Sequence, residues 1–142
     1  MTMVQQLLRA KGQEIYSVHP DAMVLDALKL MASKDIGAVL VKDGERLVGI
    51  FTERHYARNV FLKGKASPTT SVREAMETEV VCVRPEQTAE ACMALMTEKR
   101  IRHLPVLQGE RIVGIISIGD LLKSIIADRE FTIDQLEHFI RG

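Results

Sequence analysis

The sequence of this chain contains the same segment twice. Residues 15–60 align without a gap over residues 80–125, and 13 of the 46 aligned pairs are identical, against roughly 3 expected by chance from ordinary composition. A repeated unit has an apolar face that it cannot bury alone, so two copies predict an intramolecular pair packed face to face. Because the copies are similar without being identical, we expect the differences between them to determine function.

Both copies share one predicted order of secondary structure, β-α-β-β-α. In the first copy a short strand ends at Pro20, and two later apolar runs around Asp43-Gly44 predict a β-hairpin. Between them, apolar residues follow the i, i+3, i+4, i+7 spacing of one helix face: Val24, Ala27, Leu28 and Met31. The second copy repeats this order, so each copy is a mixed α and β unit.

The two copies also predict the domain organisation. We expect a first repeat with an N-terminal helix over residues 1–64, a polar linker over 65–70 and a second repeat over 71–142. The second repeat has a leading helix that opens with a capping-box pattern at residues 71–74. It ends in an amphipathic helix over 128–142, which either covers the module or pairs with a second chain. The apolar stripe of that helix contains Ile133, Leu136 and Ile140, with Phe139 beside it.

Composition argues against several classes of function. The 19 basic and 19 acidic residues give a net charge of zero, so no basic excess indicates general binding of nucleic acid or of an anionic membrane. Cys82 and Cys92 lack the spacing of a metal or disulfide framework, and the four histidines lack ligand spacing. No stretch approaches 18 apolar residues, and the N-terminus has no signal-peptide core. We therefore expect a cytoplasmic protein without a metal site.

A glycine, two apolar residues and a hydroxyl recur where a strand is predicted to meet a helix. The second copy reads Gly114 to Asp120, and the first reads Gly49 to His55. The free N–H groups and the positive end of a helix dipole favour an anion beside the hydroxyl. A carboxylate at Asp120 could also accept hydrogen bonds from a sugar diol. Ser or Thr as an N-cap followed by an acidic residue is equally ordinary helix-start chemistry, and the residues alone leave both interpretations open.

These motifs, repeated in order and at constant spacing, resemble those of the CBS-domain (Bateman module) family. The resemblance includes the I-x-x-L-P-V strand at Ile101 to Val106 and the G-h-h-S-x-x-D-h terminus at Gly114 to Leu121. It is strongest to small stand-alone bacterial proteins made of one CBS pair. It implies an α/β (α+β) fold of two tandem pseudo-twofold β-α-β-β-α repeats packed through their sheets, with extra terminal helices. It also implies a homodimer formed through the helices that flank the repeats.

The resemblance implies regulation by a ligand rather than catalysis. CBS pairs bind adenosine-containing ligands (AMP, ADP, ATP, NAD(H) or S-adenosylmethionine) in clefts between the repeats. In the family pattern the aspartate holds the ribose hydroxyls, and the Ser or Thr lies near the phosphate. Carried onto this chain, one cleft would contain Ser117, Asp120, Tyr16, Ile36, Gly37 and Ala38. The other would contain Thr52, Val81, Ile101, Arg102 and His103.

The copies differ where the ribose would bind. His55 stands at the position of Asp120, and an imidazole cannot make the two-acceptor contact of a carboxylate. The first copy has instead Arg54 and, one turn along, Arg58, and arginine binds phosphate through strong charge-assisted bonds. We therefore expect one nucleoside-selecting cleft built on Asp120 and one more cationic cleft on Thr52, which suits a dinucleotide or a polyphosphate.

Two other functions stay open beside a cytosolic adenine-nucleotide (energy) sensor. A scaffold module with degenerate, empty clefts would account for His55. A small nucleotide-processing enzyme would need His55, His103 or a cysteine as its reactive group, but no P-loop, HExxH or GxSxG motif is present. We expect a module without catalysis, which transmits ligand occupancy as a conformational change to a regulated protein.

Overall fold

The structure is a computed structural model that describes residues 2–12 and 14–141, the last three without their side chains. In the described part of the chain the elements follow the predicted order, except that the first strand predicted for the second repeat is absent. The helices are α1 (Val4–Lys11), α2 (Val24–Lys34), α3 (Glu53–Tyr56), α4 (Val72–Ala75), α5 (Ala89–Lys99) and α6 (Ile118–Arg141), and a π-helical turn (Ala57–Phe61) extends α3. The strands are β1 (Ser17–Val18), β2 (Ala38–Asp43), β3 (Arg46–Thr52), β4 (His103–Gln108) and β5 (Arg111–Ser117).

The elements form two compact units. The first-repeat unit is Ile15–Val81, and the second-repeat unit combines Met1–Glu14 with Cys82–Gly142. These bounds differ from the predicted domain bounds, which joined the N-terminal helix to the first repeat and residues 71–81 to the second. The leading helix of each repeat packs in the unit of the other repeat: α1 belongs to the second-repeat unit and α4 to the first-repeat unit. We call these two helices, with the residues next to them, the exchanged segments.

Two equivalent glycines receive the exchanged segments. Leu8 of α1 lies against Gly114 of β5, where an added Cβ would be 2.5 Å from the Leu8 Cδ2. Met76, which follows α4, lies against Gly49 of β3, where an added Cβ would be 2.6 Å from the Met76 sulfur. Only a residue without a side chain allows so close an approach. The glycine of each G-h-h-S/T motif is therefore explained by helix packing.

The predicted hairpins are confirmed, and the two sheets differ by one strand. β2 pairs with β3 and β4 with β5, both antiparallel, and β1 adds a parallel third strand to the first sheet alone. In the first sheet the Leu40 N–H donates to the Tyr16 carbonyl at 3.2 Å. The equivalent residue in the second repeat is Pro105, which has no N–H to donate. Among the described residues the second repeat retains a parallel bridge at this place, Val83 to Val106.

The predicted helix faces form the cores of the units. In the first-repeat unit α2 buries Val24, Ala27 and Met31 in a cluster that includes Phe51, which is fully buried. Burying an apolar side chain of this size stabilises a fold by about 1.5–3 kcal/mol. The equivalent face of α5 is buried in the second-repeat unit: Ala89, Cys92 and Met96.

The last helix is longer than predicted, and its end is exposed. The helix predicted after Ser117 and the amphipathic helix predicted over 128–142 form one unbroken helix, α6, which begins at Ile118. Its first turns pack on α1 and α5, with Leu121 buried. Every residue from 131 to 138 is exposed, so the interpretation that this stripe covers the module is wrong for the described side chains. The side chains of Phe139 and Ile140, which belong to the predicted stripe, lie outside the described residues.

Candidate functional site

The second-repeat unit contains a hydrogen-bonded turn where β5 meets α6. The Ser117 N–H donates to the Asp120 carboxylate oxygen Oδ2 at 2.8 Å, and the Asp120 N–H donates to the Ser117 Oγ at 3.2 Å. This reciprocal pair is a capping box, which satisfies two backbone donors at the start of the helix. The N-cap role that the sequence left open is therefore present. It also orients the carboxylate that the predicted ribose site requires.

Lys11 is a site residue that the sequence analysis missed. Its Nζ donates to the Asp120 Oδ2 at 2.7 Å and to the Ile115 carbonyl at 2.8 Å. Lys11 is the last residue of α1, and the packing of Leu8 on Gly114 holds this helix against β5. No local motif connects Lys11 with the Asp120 turn. Only knowledge of the exchanged leading helix would have identified it.

Asp120 is held in its ionised form. Burial favours the neutral acid, but hydrogen bonds from Lys11 and from the Ser117 N–H outweigh burial and lower the pKa of Asp120 below its usual value. Both donors bind Oδ2, and no described residue forms a hydrogen bond to Oδ1. One oxygen of an oriented carboxylate is therefore available to a hydroxyl donor.

The first-repeat unit contains the equivalent turn where β3 meets α3, with a histidine as the acceptor. The Thr52 N–H donates to the His55 Nδ1 at 3.1 Å, and the His55 N–H donates to the Thr52 Oγ1 at 3.2 Å. Nδ1 must therefore carry a lone pair, which places the proton of the neutral ring on Nε2. His55 preserves the cap that Asp120 makes, but it presents a neutral N–H donor in place of a carboxylate.

Burial favours the neutral form of His55. Desolvation by burial lowers the pKa of His55 below its usual value, Glu77 opposes this shift, and Arg54 and Arg58 add to it. The backbone of Glu77 pairs with β3, at the position where the lysine of α1 meets β5. Each exchanged segment thus brings a charge to its turn: a cation to the aspartate and an anion to the histidine.

The other predicted site residues divide between the units. Tyr16, Ile36, Gly37, Ala38 and Val81 belong with Thr52 to the first-repeat unit, and Ile101, Arg102 and His103 belong with Ser117 to the second. This places Val81, which we expected in the second repeat, in the first-repeat unit. Within each unit the register sets Ala38 opposite Thr52 and His103 opposite Ser117. The predicted groupings combine residues of opposite repeats and stay predictions.

Metal ligation and thiol chemistry find little support in the described residues. No group of His, Cys, Asp or Glu in the described ranges could hold a metal ion. Burial raises the pKa of the Cys82 and Cys92 thiols above their usual values, which disfavours the reactive thiolate. Within the same ranges, no helix has both the length and the apolar character needed to cross a membrane.

The fold and the two turns define a class of protein: a tandem pair of mixed α and β repeats, each with a helix start capped by a side chain three residues on. The sequence profile of the CBS domain matches residues 11–61 and 67–127. The chain belongs to the CBS-domain family, and it is a CBS pair, a regulatory module. The family and the fold class predicted from the sequence are both confirmed.

Relatives and solved structures agree with this assignment. The chain is 34% identical over 150 aligned residues to the mitochondrial CBS domain-containing protein CBSX3 of Arabidopsis thaliana, over 99% of this chain and 73% of that protein. A protein with CBS domains from Burkholderia ambifaria MC40-6 has a TM-score of 0.87 at 54% identity, over 89% of this chain and 96% of that one. The CBS pair of protein MJ0100 has a TM-score of 0.80 at 21% identity, over 90% and 98%, and shows likeness of fold alone.

Proposed function

We propose that the module binds an adenosine-containing ligand at Asp120 and transmits occupancy as a conformational change to a partner protein. The observation that carries this proposal is an ionised, oriented carboxylate with Oδ1 unbonded by described residues. A ribose hydroxyl that donates to a carboxylate makes a charge-assisted bond, which is stronger than a neutral one. The structure of the MJ0100 pair is a complex with 5′-methylthioadenosine and S-adenosylmethionine, which supports this choice of ligand class.

The remaining contacts of the proposed site follow the family pattern. Ser117 would lie near the phosphate, and backbone and apolar groups would contact the adenine. We assign the adenine contacts to Tyr16, Ile36, Gly37 and Ala38. Gly37 suits a flat base because it has no side chain to hold the base away from the backbone.

The Thr52 turn suits a different ligand. His55 offers an N–H donor where Asp120 offers an acceptor, so a ribose diol loses its carboxylate partner. Arg54 and Arg58 are exposed, and both are near enough to lower the pKa of His55. We propose that this cationic site prefers a polyphosphate or dinucleotide such as ATP or NAD(H). Its further contacts would be Val81, Ile101, Arg102 and His103.

A homodimer through the helices that flank the repeats also belongs to the proposal. Phe61 and Leu62, at the end of the first repeat, are 69% and 75% exposed. Adjacent large apolar side chains in water are typical of a protein contact surface. We expect Phe61→Ser/Leu62→Ser to weaken association in sedimentation equilibrium, and unchanged association would contradict a role for this surface.

Binding measurements test the ligand proposal. Calorimetry and thermal shift would compare AMP, ADP, ATP, NAD⁺, NADH and S-adenosylmethionine, and a ligand at 100 times its Kd should stabilise the fold by about 2.7 kcal/mol. Asp120→Asn should weaken binding roughly 10- to 100-fold, because a hydrogen bond to a charged group contributes about 1.5–3 kcal/mol. Asp134→Asn, in the exposed part of α6, is the matched control and should bind like the wild type.

Each outcome points to a distinct conclusion. The absence of any thermal shift would contradict ligand binding and favour the scaffold function. If Asp120→Asn binds the ligand as tightly as the wild type, the role assigned to Asp120 is contradicted, but ligand binding by the module is not. His55→Asp should tighten nucleoside binding at the second site, and unchanged affinity would show that the histidine does not limit it. Turnover of a nucleotide by the purified protein would contradict a purely regulatory function.

A further inference from the structure

The Asp120 turn sets one hydrogen-bond donor and one acceptor side by side for a ligand. The Lys11 ammonium has three N–H donors. One binds the Asp120 Oδ2 at 2.7 Å and another binds the Ile115 carbonyl at 2.8 Å. No described residue accepts the third N–H, and none donates to the Asp120 Oδ1. Two groups in direct contact therefore each keep one hydrogen-bonding position open.

Both side chains are held in place and can be reached from solvent. The Ser117 N–H donates to the same Asp120 oxygen at 2.8 Å, so the carboxylate does not depend on Lys11 alone for its orientation. Lys11 is the last residue of α1, which packs on β5 through Leu8. The side chains of Lys11 and Asp120 are 36% and 22% exposed, respectively. Because both are partly buried, water competes less for their remaining hydrogen-bonding positions.

We infer that Lys11 and Asp120 bind the ribose of the proposed ligand together, so that Lys11 determines specificity. One hydroxyl of the diol donates to the Asp120 Oδ1, and the oxygen of the neighbouring hydroxyl accepts the third N–H of Lys11. A single hydroxyl could satisfy a carboxylate alone, whereas the pair requires two adjacent hydroxyls, one donating and one accepting. This inference rests on the adenosine-binding function proposed above and adds to it a residue outside the motif of the turn.

The Thr52 turn lacks this donor. Ile50 stands at the position of Ile115 in the repeat, and its carbonyl accepts the Glu77 backbone N–H at 2.9 Å. A backbone N–H thus takes the place of the Lys11 ammonium, and a backbone amide has no further N–H to offer a ligand. The inference therefore assigns recognition of the diol by a lysine and a carboxylate to one of the two turns.

Deoxy analogues of AMP test the inference by calorimetry, with binding at this turn identified as the component that Asp120→Asn removes. 2′-Deoxy-AMP and 3′-deoxy-AMP each lack one hydroxyl and should each bind the wild type roughly 10- to 100-fold more weakly than AMP, because a hydrogen bond to a charged group is lost. Lys11→Met should bind one analogue within about twofold of AMP. It should still reject the other, since the Ser117 N–H continues to orient Asp120.

Lys63→Met, in the first-repeat unit, is the matched control and should reject both analogues as the wild type does. If the wild type binds no adenosine compound, the proposed function fails and this inference fails with it. If the wild type binds AMP and either analogue equally well, only this inference is overturned, and this result needs no variant.

The Lys11→Met variant also separates a ribose contact from other roles of the lysine. A purely structural role would weaken AMP and both analogues by the same factor, and that result would overturn the inference. Normal binding of adenosine with weakened binding of AMP would place Lys11 at the phosphate and would overturn it as well. Circular dichroism and urea unfolding of each variant would show that it is folded under the conditions of the binding measurement.

Discussion

Lys11 both orients and partly occupies the carboxylate that the proposed ligand needs. Its ammonium binds Asp120 Oδ2 together with the Ser117 N–H, and so leaves Oδ1 as the acceptor for a ribose hydroxyl. In the other repeat Glu77 lies near His55, and its carboxylate opposes the loss of the imidazole proton. The change from Asp120 in one turn to His55 in the other is therefore accompanied by a change from Lys11 to Glu77 on the exchanged segments.

Removal of Lys11 should weaken the fold at neutral pH. Lys11→Met should lower the free energy of unfolding by about 0.5–1 kcal/mol, the range of a partly exposed ion pair, since the lysine side chain is 36% exposed. The pKa of Asp120 is lowered in the fold. The ion pair therefore stabilises the fold at pH values above the usual aspartate pKa, and this stabilisation is lost as the pH falls through the lowered pKa. Urea unfolding should show wild type and variant converging in acid. An equal difference at every pH would contradict this, and Lys63→Met is the control.

Mild acid should weaken the first-repeat unit through His55. The pKa of His55 is lowered in the fold. The neutral imidazole therefore gives its full stabilisation at pH values above the usual histidine pKa, and this stabilisation is lost as the pH falls through the lowered pKa. Protonation also removes the Nδ1 lone pair that accepts the Thr52 N–H. His55→Asn retains a side-chain acceptor that does not titrate, and it should lose less stability between pH 7 and pH 5. NMR titration and urea unfolding would measure both, and identical pH profiles would refute the assignment.

Neighbouring segments approach the strands closely at Gly49 and Gly114. At Gly114 an added Cβ would meet the side chain of Leu8, which can rotate. At Gly49 it would also lie 2.9 Å from the Glu77 carbonyl oxygen. That oxygen accepts the Ile50 N–H at 3.0 Å, so it cannot move without breaking backbone pairing. Equivalent glycines therefore differ in how much strain an added methyl group would cause.

Alanine substitution should separate these glycines. Gly49→Ala should lower stability by about 2–3 kcal/mol and Gly114→Ala by about 1–2 kcal/mol, within the usual range for overpacking. Gly119→Ala is the matched control, because its Cβ would have only an ordinary contact at 3.6 Å. In the helix it should be neutral or stabilising by up to about 1 kcal/mol. Chemical denaturation would give the order, and an equal loss at all three glycines would contradict the packing argument.

The sequence predicted the features that depend on residue spacing within short segments. It missed the features that depend on the exchanged segments. The helix faces of α2 and α5 and the Ser117–Asp120 turn follow from spacing within short segments, and the structure contains them. The repeat gives no sign of which unit receives each leading helix, because α1 and α4 precede their repeats in the same way. Lys11 and Glu77 arrive with those helices, so neither could be placed. The absence of a strand equivalent to β1 in the second repeat could have been predicted, because Pro105 lacks the backbone N–H that Leu40 donates to Tyr16.

At the scale of the whole molecule, the proposed ligand site lies at the start of the longest described helix. Asp120 lies in the first turn of α6, and the apolar residues Ile133 and Leu136, more than three turns later, are exposed. α6 would therefore connect a ligand site to an exposed surface through a single helix. This arrangement offers a physical route by which occupancy could reach a second molecule.

Hydrogen exchange should locate the ligand effect. A saturating adenosine ligand should slow amide exchange in residues 8–12 and 114–121, because these segments form the Asp120 turn and hold Lys11 beside it. The Asp120→Asn variant at the same ligand concentration is the control and should show no slowing there. Slowing confined to residues 49–56 would instead place the ligand at the His55 turn.

The exchanged leading helix also determines when the molecule can be finished on the ribosome. Every residue of the first-repeat unit has been synthesised once residue 81 leaves the exit tunnel, so that unit can fold while translation continues. α1 is synthesised before the first-repeat unit, yet Leu8 can meet Gly114 only after that whole unit has been synthesised. Until then the apolar side of α1 has no partner and is open to premature association. A helix that precedes the first repeat is therefore packed only after that repeat is finished.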